Sequence, residues 1–153
     1  MVSTAVQKHT PPNIKAEEKW NVCYDWANKY WQAAILRVHE GATDEVVQDL
    51  MLSGLDWATA ASERVSTQPY HARVHRYAAQ LAYDLELWDR AFILATRGLT
   101  GDKVPPEYVP VLSNLAGRAM KRRYMEEVAM SIAEEAENQR AENQRAEASR
   151  GKK

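Results

Sequence analysis

The sequence predicts an all-α protein of about six antiparallel helices that stack as helical hairpins. Apolar residues recur at spacings of three and four through most of the chain, and no segment shows the sustained alternation expected of a strand. The six prolines and six glycines lie mostly between the periodic segments. We assign a flexible leader to residues 1–13, a helical-hairpin domain to residues 14–137 and a polar, charged helical tail to residues 138–153.

The first helix is predicted over about residues 14–39 and ends at Gly41. Its apolar stripe is typical of a buried helix face and consists of Trp20, Tyr24, Ala27, Trp31, Ile35 and Val38. Val22, Trp26 and Leu36 fall off this stripe. They either contact a second layer or lie exposed as an interface.

The second helix is predicted to begin at Asp44, which would serve as its N-cap, and to end before residues 66–69. Its apolar stripe comprises Val47, Leu50, Met51, Gly54, Ala58, Ala61 and Val65. Because the middle of this stripe is small, a neighbouring helix can approach closely there.

The third helix is predicted from Tyr70 and the fourth follows a tight break near Glu86. The apolar face of the third helix contains Val74, Tyr77, Ala78, Leu81, Ala82 and Leu85. The face of the fourth contains Trp88, Ala91, Phe92, Ala95 and Leu99.

The fifth helix is predicted from about Pro106, with Pro110 tolerated only in its first turn. Its face contains Leu112, Leu115, Ala116, Ala119 and Met120. A turn near Tyr124 is predicted to separate a sixth helix, whose face contains Met125, Val128, Ala129, Ile132, Ala133 and Ala136.

The tail is polar on all sides, because the apolar stripe stops at Ala136. Residues 136–145 repeat the sequence Ala-Glu-Asn-Gln-Arg twice. Glutamate–arginine pairs three residues apart stabilise an exposed helix by only about 0.2–0.5 kcal/mol each. We therefore expect the tail to fray towards Lys153.

Composition bounds the class of protein. The formal net charge is −1, with 20 basic and 21 acidic residues, so no global field favours nucleic acid or a membrane surface. The single cysteine, Cys23, cannot form an internal disulfide, and no Asn-x-Ser/Thr acceptor is present. No run approaches the roughly 18 apolar residues of a membrane span. These features predict a soluble protein of a reducing, cytoplasmic compartment.

No residue pattern predicts catalysis or a cofactor. His71 and His75 are one helical turn apart, which is the spacing of metal ligands, but no third ligand lies nearby in the sequence. Cys23 lies near the stripe of the first helix and is predicted to be a buried structural thiol. We predict no enzymatic activity, no cofactor and no metal, and keep a helical ligand- or metal-binding bundle as an alternative.

Small residues recur at matching intervals in two of the predicted hairpins. The two sets, 38 residues apart, are Ala79, Ala91, Ala95 and Gly98, and Gly117, Ala129, Ala133 and Ala136. With Trp88 near the start of a second helix, residues 70–137 resemble the tetratricopeptide repeat, a stack of helical hairpins. The chain departs from that family in its longer period, in alanines at the usual aromatic positions and in the lack of the terminal proline.

The resemblance implies a concave surface lined by the first helix of each hairpin, which would bind a peptide. The matching positions are Arg73, Arg76, Gln80, Tyr83, Asn114, Arg118 and Lys121. Helical spacing independently puts each set on one side of its helix, away from the apolar stripe. Such a basic, polar surface would suit an acidic peptide or a C-terminal carboxylate. The alternative for Arg118 and Lys121 is that they complement the dipole at a helix C-terminus.

These observations predict a non-enzymatic adaptor that binds another protein on a helical groove, with no nucleic acid or membrane partner. The first alternative is a small structural subunit of a larger complex, held through Val22, Trp26 and Leu36 together with Ile93 and the long tail. The sequence also leaves open a homodimer formed through the first helix or the tail.

Overall fold

The computed structural model describes residues 8–151, which form five α-helices and no strand. The helices are α1 (Trp20–His39), α2 (Asp44–Arg64), α3 (Tyr70–Asp84), α4 (Trp88–Leu99) and α5 (Tyr108–Arg150). The predicted all-α class is confirmed. The first seven residues of the predicted leader and the last two of the predicted tail lie outside the described residues.

The prediction of six helices is wrong, because no turn occurs near Tyr124 and the predicted fifth and sixth helices are the single helix α5. Beyond Pro110, nearly every residue up to Arg123 has ordinary or good helix propensity. Gly117 is the exception, and one glycine inside a helix costs only about 1 kcal/mol. The first helix is also shorter than predicted and begins at Trp20.

Helices α1 and α2 form an antiparallel pair joined by a short link. Gly41, at φ +76°, ends α1 as predicted. The N-cap of α2 is Thr43 rather than the predicted Asp44, because the Thr43 Oγ1 accepts a hydrogen bond from Val46 N–H at 3.4 Å. Asp44 instead lies in the first turn, where a carboxylate complements the helix dipole.

The predicted close approach of α1 and α2 occurs at Gly54. A Cβ atom there would lie 3.4 Å from both the Ala27 carbonyl oxygen and the Tyr30 Cβ. Because α2 contacts both α1 and α3, more of its surface is buried than the predicted stripe. Leu52, Leu55 and Trp57 are buried in addition.

Helices α3 and α4 form a second antiparallel pair. The predicted α3 face is buried, with Tyr77 half-buried, and α4 buries Leu94 besides the predicted Ala91 and Ala95. The two helices approach closely at Gly98, where a Cβ would lie 2.9 Å from the Cβ of His75.

The chain divides into two compact units, residues 1–120 and 121–153. In the first unit α5 begins at Tyr108, so Pro110 lies in its first turn as predicted. It buries four residues of the predicted face, Leu112, Leu115, Ala116 and Ala119, whereas Met120 is exposed.

Two further sets of residues predicted to be buried are exposed. In the second unit every described side chain is exposed, including the whole face predicted for a sixth helix, because the described residues of that unit belong to one helix. In α1, Ile35 and Val38 are exposed as well, because the link to α2 follows at once. No helix among the described residues is both long and apolar enough to cross a membrane.

Candidate partner-binding face

Helices α1, α3 and α5 lie side by side in the first unit and run in the same direction. Going along α1, the Trp20 ring contacts Tyr70 and the Tyr24 ring contacts Tyr77 of α3, each at 5.2 Å between centroids. The second contact lies closer to the C-terminus than the first in both helices, so α1 and α3 run parallel.

Helices α3 and α5 are related in the same way. The Arg73 Nε donates a hydrogen bond to the Tyr108 hydroxyl at 3.5 Å. Ten residues further along both helices, the Arg118 guanidinium lies 4.7 Å from the centroid of the Tyr83 ring. At a rise of 1.5 Å per residue these two contacts are about 15 Å apart.

We call the surface between these contacts the α3/α5 face. It consists of Arg73, Arg76, Gln80, Tyr83, Tyr108, Asn114 and Arg118. Six of these residues are the predicted peptide-binding positions, and Tyr108 is added by the structure. Lys121, the seventh predicted position, is exposed and belongs to the second unit.

The Arg73 end of the face is held by two tyrosines. The Arg73 guanidinium lies 5.6 Å from the centroid of the Tyr70 ring as well as bonding Tyr108. The hydrogen bond to Tyr108 raises the pKa of Arg73 above its already high value, so the guanidinium is charged at every accessible pH. Arg76, one turn further, is exposed.

The Arg118 end of the face is built on stacked aromatic rings. Tyr83, half-buried, packs edge-on against Trp88 at 5.1 Å, which fixes the ring under the Arg118 guanidinium. Gln80 donates a hydrogen bond to the Asp84 carboxylate at 2.9 Å, so one acidic group borders this end.

The alternative interface on α1 is less continuous. Trp26 is 41% exposed and stacks on Trp57 at 5.7 Å, with half-buried Val22 one turn away. Leu36 is 57% exposed, but it lies ten residues along the helix from Trp26, which is about 15 Å. Val22 and Trp26 are therefore neighbours, and Leu36 is a separate exposed side chain.

His71 and His75 lie one turn apart on α3, with His75 packed against Gly98 of α4. Their ring centroids are 4.1 Å apart, and the His75 Nδ1 lies 2.7 Å from the His71 carbonyl oxygen. Burial lowers the pKa of both imidazoles. Within residues 8–151 no group of three or more histidine, cysteine, aspartate or glutamate residues is placed to hold a metal ion.

Cys23 is buried, as the sequence predicted for a structural thiol. Burial raises the pKa of the thiol, against the opposing effect of the nearby Arg64. The Arg64 guanidinium donates to the Cys23 sulfur at 3.5 Å and to the carbonyl oxygens of Lys15 at 3.1 Å and Glu18 at 2.7 Å.

A partly buried ionic cluster around His9 was not predicted from the sequence. Its Nδ1 lies 2.8 Å from Asp49 and its Nε2 lies 2.7 Å from Asp56, with the imidazole only 8% exposed. Burial lowers the pKa of His9, but the two carboxylates outweigh it and the net change is a raised pKa. The one signal in the sequence was that Asp49 and Asp56 are seven residues apart, which places them on one side of α2. This spacing does not identify His9, 40 residues before Asp49, as their partner.

No family model, characterised protein or solved structure matches this chain at a significant level. The geometry and chemistry of its surfaces therefore supply the grounds for a function.

Proposed function

We propose that this chain is a non-enzymatic adaptor that binds an acidic segment of another protein along the α3/α5 face. The observation that carries the proposal is the alignment of arginines and tyrosines on two parallel helices, with Arg73 against Tyr108 at one end and Arg118 against Tyr83 at the other.

The two end arginines are restrained before any partner arrives. An arginine stacked on an aromatic ring retains N–H donors at its edge for a carboxylate. Because the rings of Tyr70 and Tyr83 already restrict Arg73 and Arg118, less side-chain entropy is lost on binding. Arg76 is exposed one turn from Arg73, so the fields of these two cations add within the Debye length of about 8 Å at physiological salt. Arg118 lies about two Debye lengths away and acts on the other end of a bound segment.

The length of the face defines the size of the ligand. An extended chain rises about 3.3 Å per residue, so about 15 Å accommodates about five residues. A segment with a carboxylate at each end of such a stretch would reach both Arg73 and Arg118. The same spacing fits a C-terminal carboxylate at one end and an acidic side chain at the other.

A helical-repeat architecture similar to the tetratricopeptide repeat is part of the proposal. It is supported by the parallel contacts among α1, α3 and α5, and by the starts of α3 and α5 at Tyr70 and Tyr108, 38 residues apart. That interval equals the offset between the two sets of small residues. The last hairpin departs from the family, because α5 continues where a turn and a second helix would follow.

The test is binding of a fluorescent peptide of about six glutamates, measured by anisotropy, with a lysine peptide of the same length as the negative probe. We expect binding of the glutamate peptide that weakens steeply as salt is raised. Arg76→Glu with Arg118→Glu should abolish it while circular dichroism stays unchanged. The matched control is Lys29→Glu with Arg97→Glu, which makes the same change in net charge at two exposed positions outside the face. Equal binding by both double variants would contradict the proposal.

A second candidate is a structural subunit fixed in a larger complex, and the exposed Trp26 and Leu36 favour it. In that case Trp26→Ala should reduce co-purification with the native complex more than the double arginine change does. Either role fits a reducing intracellular compartment, because the one cysteine is a buried thiol.

A further inference from the structure

The second unit contains a helical surface that nothing in its described part covers. Residues 121–150 are helical and every one is exposed, including Tyr124 at 67% and Ile132 at 63%. Helices in proteins derive most of their stability from packing an apolar face.

The uncovered residues follow the spacing of a coiled-coil seam. We define the tail seam as Met125, Ala129, Ile132, Ala136, Gln139 and Asn143, whose intervals are four, three, four, three and four. That alternation is the 3.5-residue period that keeps one stripe facing a partner helix along a left-handed supercoil. The alanines on the seam allow two backbones to approach closely.

Charge on the two flanks of the seam selects the partner. One flank carries Val128 and Glu135, and the opposite flank carries Ala133 and Arg140. Consider two identical helices that run parallel and in register. A residue on the first flank of one helix then faces the residue five positions later on the opposite flank of the other. Glu135 then faces Arg140 of the second copy, twice by symmetry, and Val128 faces Ala133.

The polar end of the seam favours the same register. Gln139 donates a hydrogen bond to Asn143 at 3.2 Å within the helix. In a parallel, in-register pair Asn143 meets its own copy, and a single asparagine at such a position specifies register at a cost in stability. Further on, Glu142 faces Glu147 and these repel, so the attraction is confined to the part of the seam before Asn143.

We propose that residues 125–143 form a parallel, in-register, two-stranded coiled coil with a second copy of this chain. The seam is short and only four of its residues are apolar, so the dimer dissociates on dilution. This inference is independent of the acidic-ligand proposal, because it uses none of the residues of the α3/α5 face.

Sedimentation equilibrium of the full chain tests the association, at concentrations from about 1 to about 100 µM. We expect a monomer–dimer equilibrium that Met125→Glu with Ile132→Glu converts to monomer. The matched control is Met130→Glu, at a residue 60% exposed but off the seam, which should leave the dimer intact. A wild-type chain that is monomeric throughout the range, as expected if the seam binds a different protein, would overturn the proposal. Equal dissociation by Met130→Glu would do so too.

Charge exchange and cross-linking test the orientation. Glu135→Arg should weaken the dimer roughly three- to tenfold, and adding Arg140→Glu should restore it. Ala129→Cys should form an intermolecular disulfide under mild oxidation, because this position lies near one end of the seam and meets its own copy only in the parallel, in-register pair. Glu134→Cys, on the opposite side of the helix, should not. Failure of the restoration, or equal cross-linking at both positions, would exclude the parallel register.

Discussion

Gly41 and Glu86 occupy the same position in two helix-ending motifs with the same hydrogen bonds. After α1, the N–H of Gly41 bonds to the Val38 carbonyl and that of Ala42 to the Arg37 carbonyl. After α3, the N–H of Glu86 bonds to the Tyr83 carbonyl and that of Leu87 to the Ala82 carbonyl. Both residues have positive φ, +76° for Gly41 and +61° for Glu86. This arrangement is the Schellman motif, which favours glycine.

Glu86→Gly is therefore expected to stabilise the protein. A residue with a side chain loses about 1–2 kcal/mol in the left-handed region, and the greater freedom of glycine in the unfolded chain offsets part of the gain. We expect a net increase of roughly 0.5–1 kcal/mol in the free energy of unfolding, measured by urea denaturation. Gly41→Ala is the matched reverse change and should decrease it by about 1 kcal/mol. A lower stability for Glu86→Gly would mean that its side chain contributes more than the strain costs.

Gly54→Leu and Ala91→Leu should each destabilise the fold. A Cβ at Gly54 already lies 3.4 Å from two atoms of α1, and Ala91 is fully buried. Overpacking of this kind costs about 1–3 kcal/mol. Gly117→Ala is the control, because a Cβ there meets nothing within 4 Å, and it should be neutral or gain about 1 kcal/mol of helix propensity. Thermal denaturation that ranks all three equally would show that close packing at Gly54 and Ala91 does not limit stability.

His9 should make the protein less stable as the pH rises above neutrality. Its pKa in the folded state is raised, so the folded chain holds the proton more tightly than the unfolded chain. The contribution is complete below the unfolded value of about 6.5 and is lost as the pH rises through the folded value. NMR titration of the imidazole gives the folded pKa directly.

The control for His9 is Asp49→Asn with Asp56→Asn. Both carboxylates within hydrogen-bonding distance are then neutral, so the His9 pKa should fall and the loss of stability above neutrality should flatten. His71 and His75 act in the opposite sense, because their lowered pKa values make the fold less stable as the pH falls below about 6.5. If the double variant retains the full alkaline slope, the slope arises elsewhere.

Most features that depend on residues adjacent in the sequence were predicted correctly, and most features that depend on distant residues were not. The ends of α1 and α3 at Gly41 and Glu86 were predictable, because a helix end is determined by a few adjacent residues. The supposed turn at Tyr124 was an error of a different kind. The spacing of the apolar residues from Met125 onward specifies only that a face exists and not what covers it.

The candidate site was predictable only as two separate sets of residues. Spacing identified Arg73 and Arg76 on one helix and Arg118 on another. That Tyr83 supports Arg118, and Tyr108 supports Arg73, depends on which helices are adjacent. Contacts between residues 35 positions apart in sequence are not encoded in either periodic pattern. The cluster at His9 was missed for the same reason.

Arg64→Met should detach the segment that precedes α1. The single guanidinium of Arg64 donates to the carbonyls of Lys15 and Glu18 and to the Cys23 sulfur, which holds this segment against the end of α2. Methionine keeps most of the side-chain volume and removes all the donors. Hydrogen bonds from a charged donor contribute about 1.5–3 kcal/mol, and partial exposure reduces this, so we expect a loss of roughly 2 kcal/mol.

The readout is the reaction of Cys23 with a disulfide reagent under native conditions. In the wild-type protein burial raises the thiol pKa and shields the sulfur, so reaction should be slow. In Arg64→Met the loosened segment should expose Cys23 and accelerate the reaction by more than the change in global stability explains. Arg37→Met removes an exposed arginine bonded only to Glu40 among the residues described, and it should leave the rate unchanged. Equal rates in Arg64→Met and wild type would mean that apolar packing alone holds the segment.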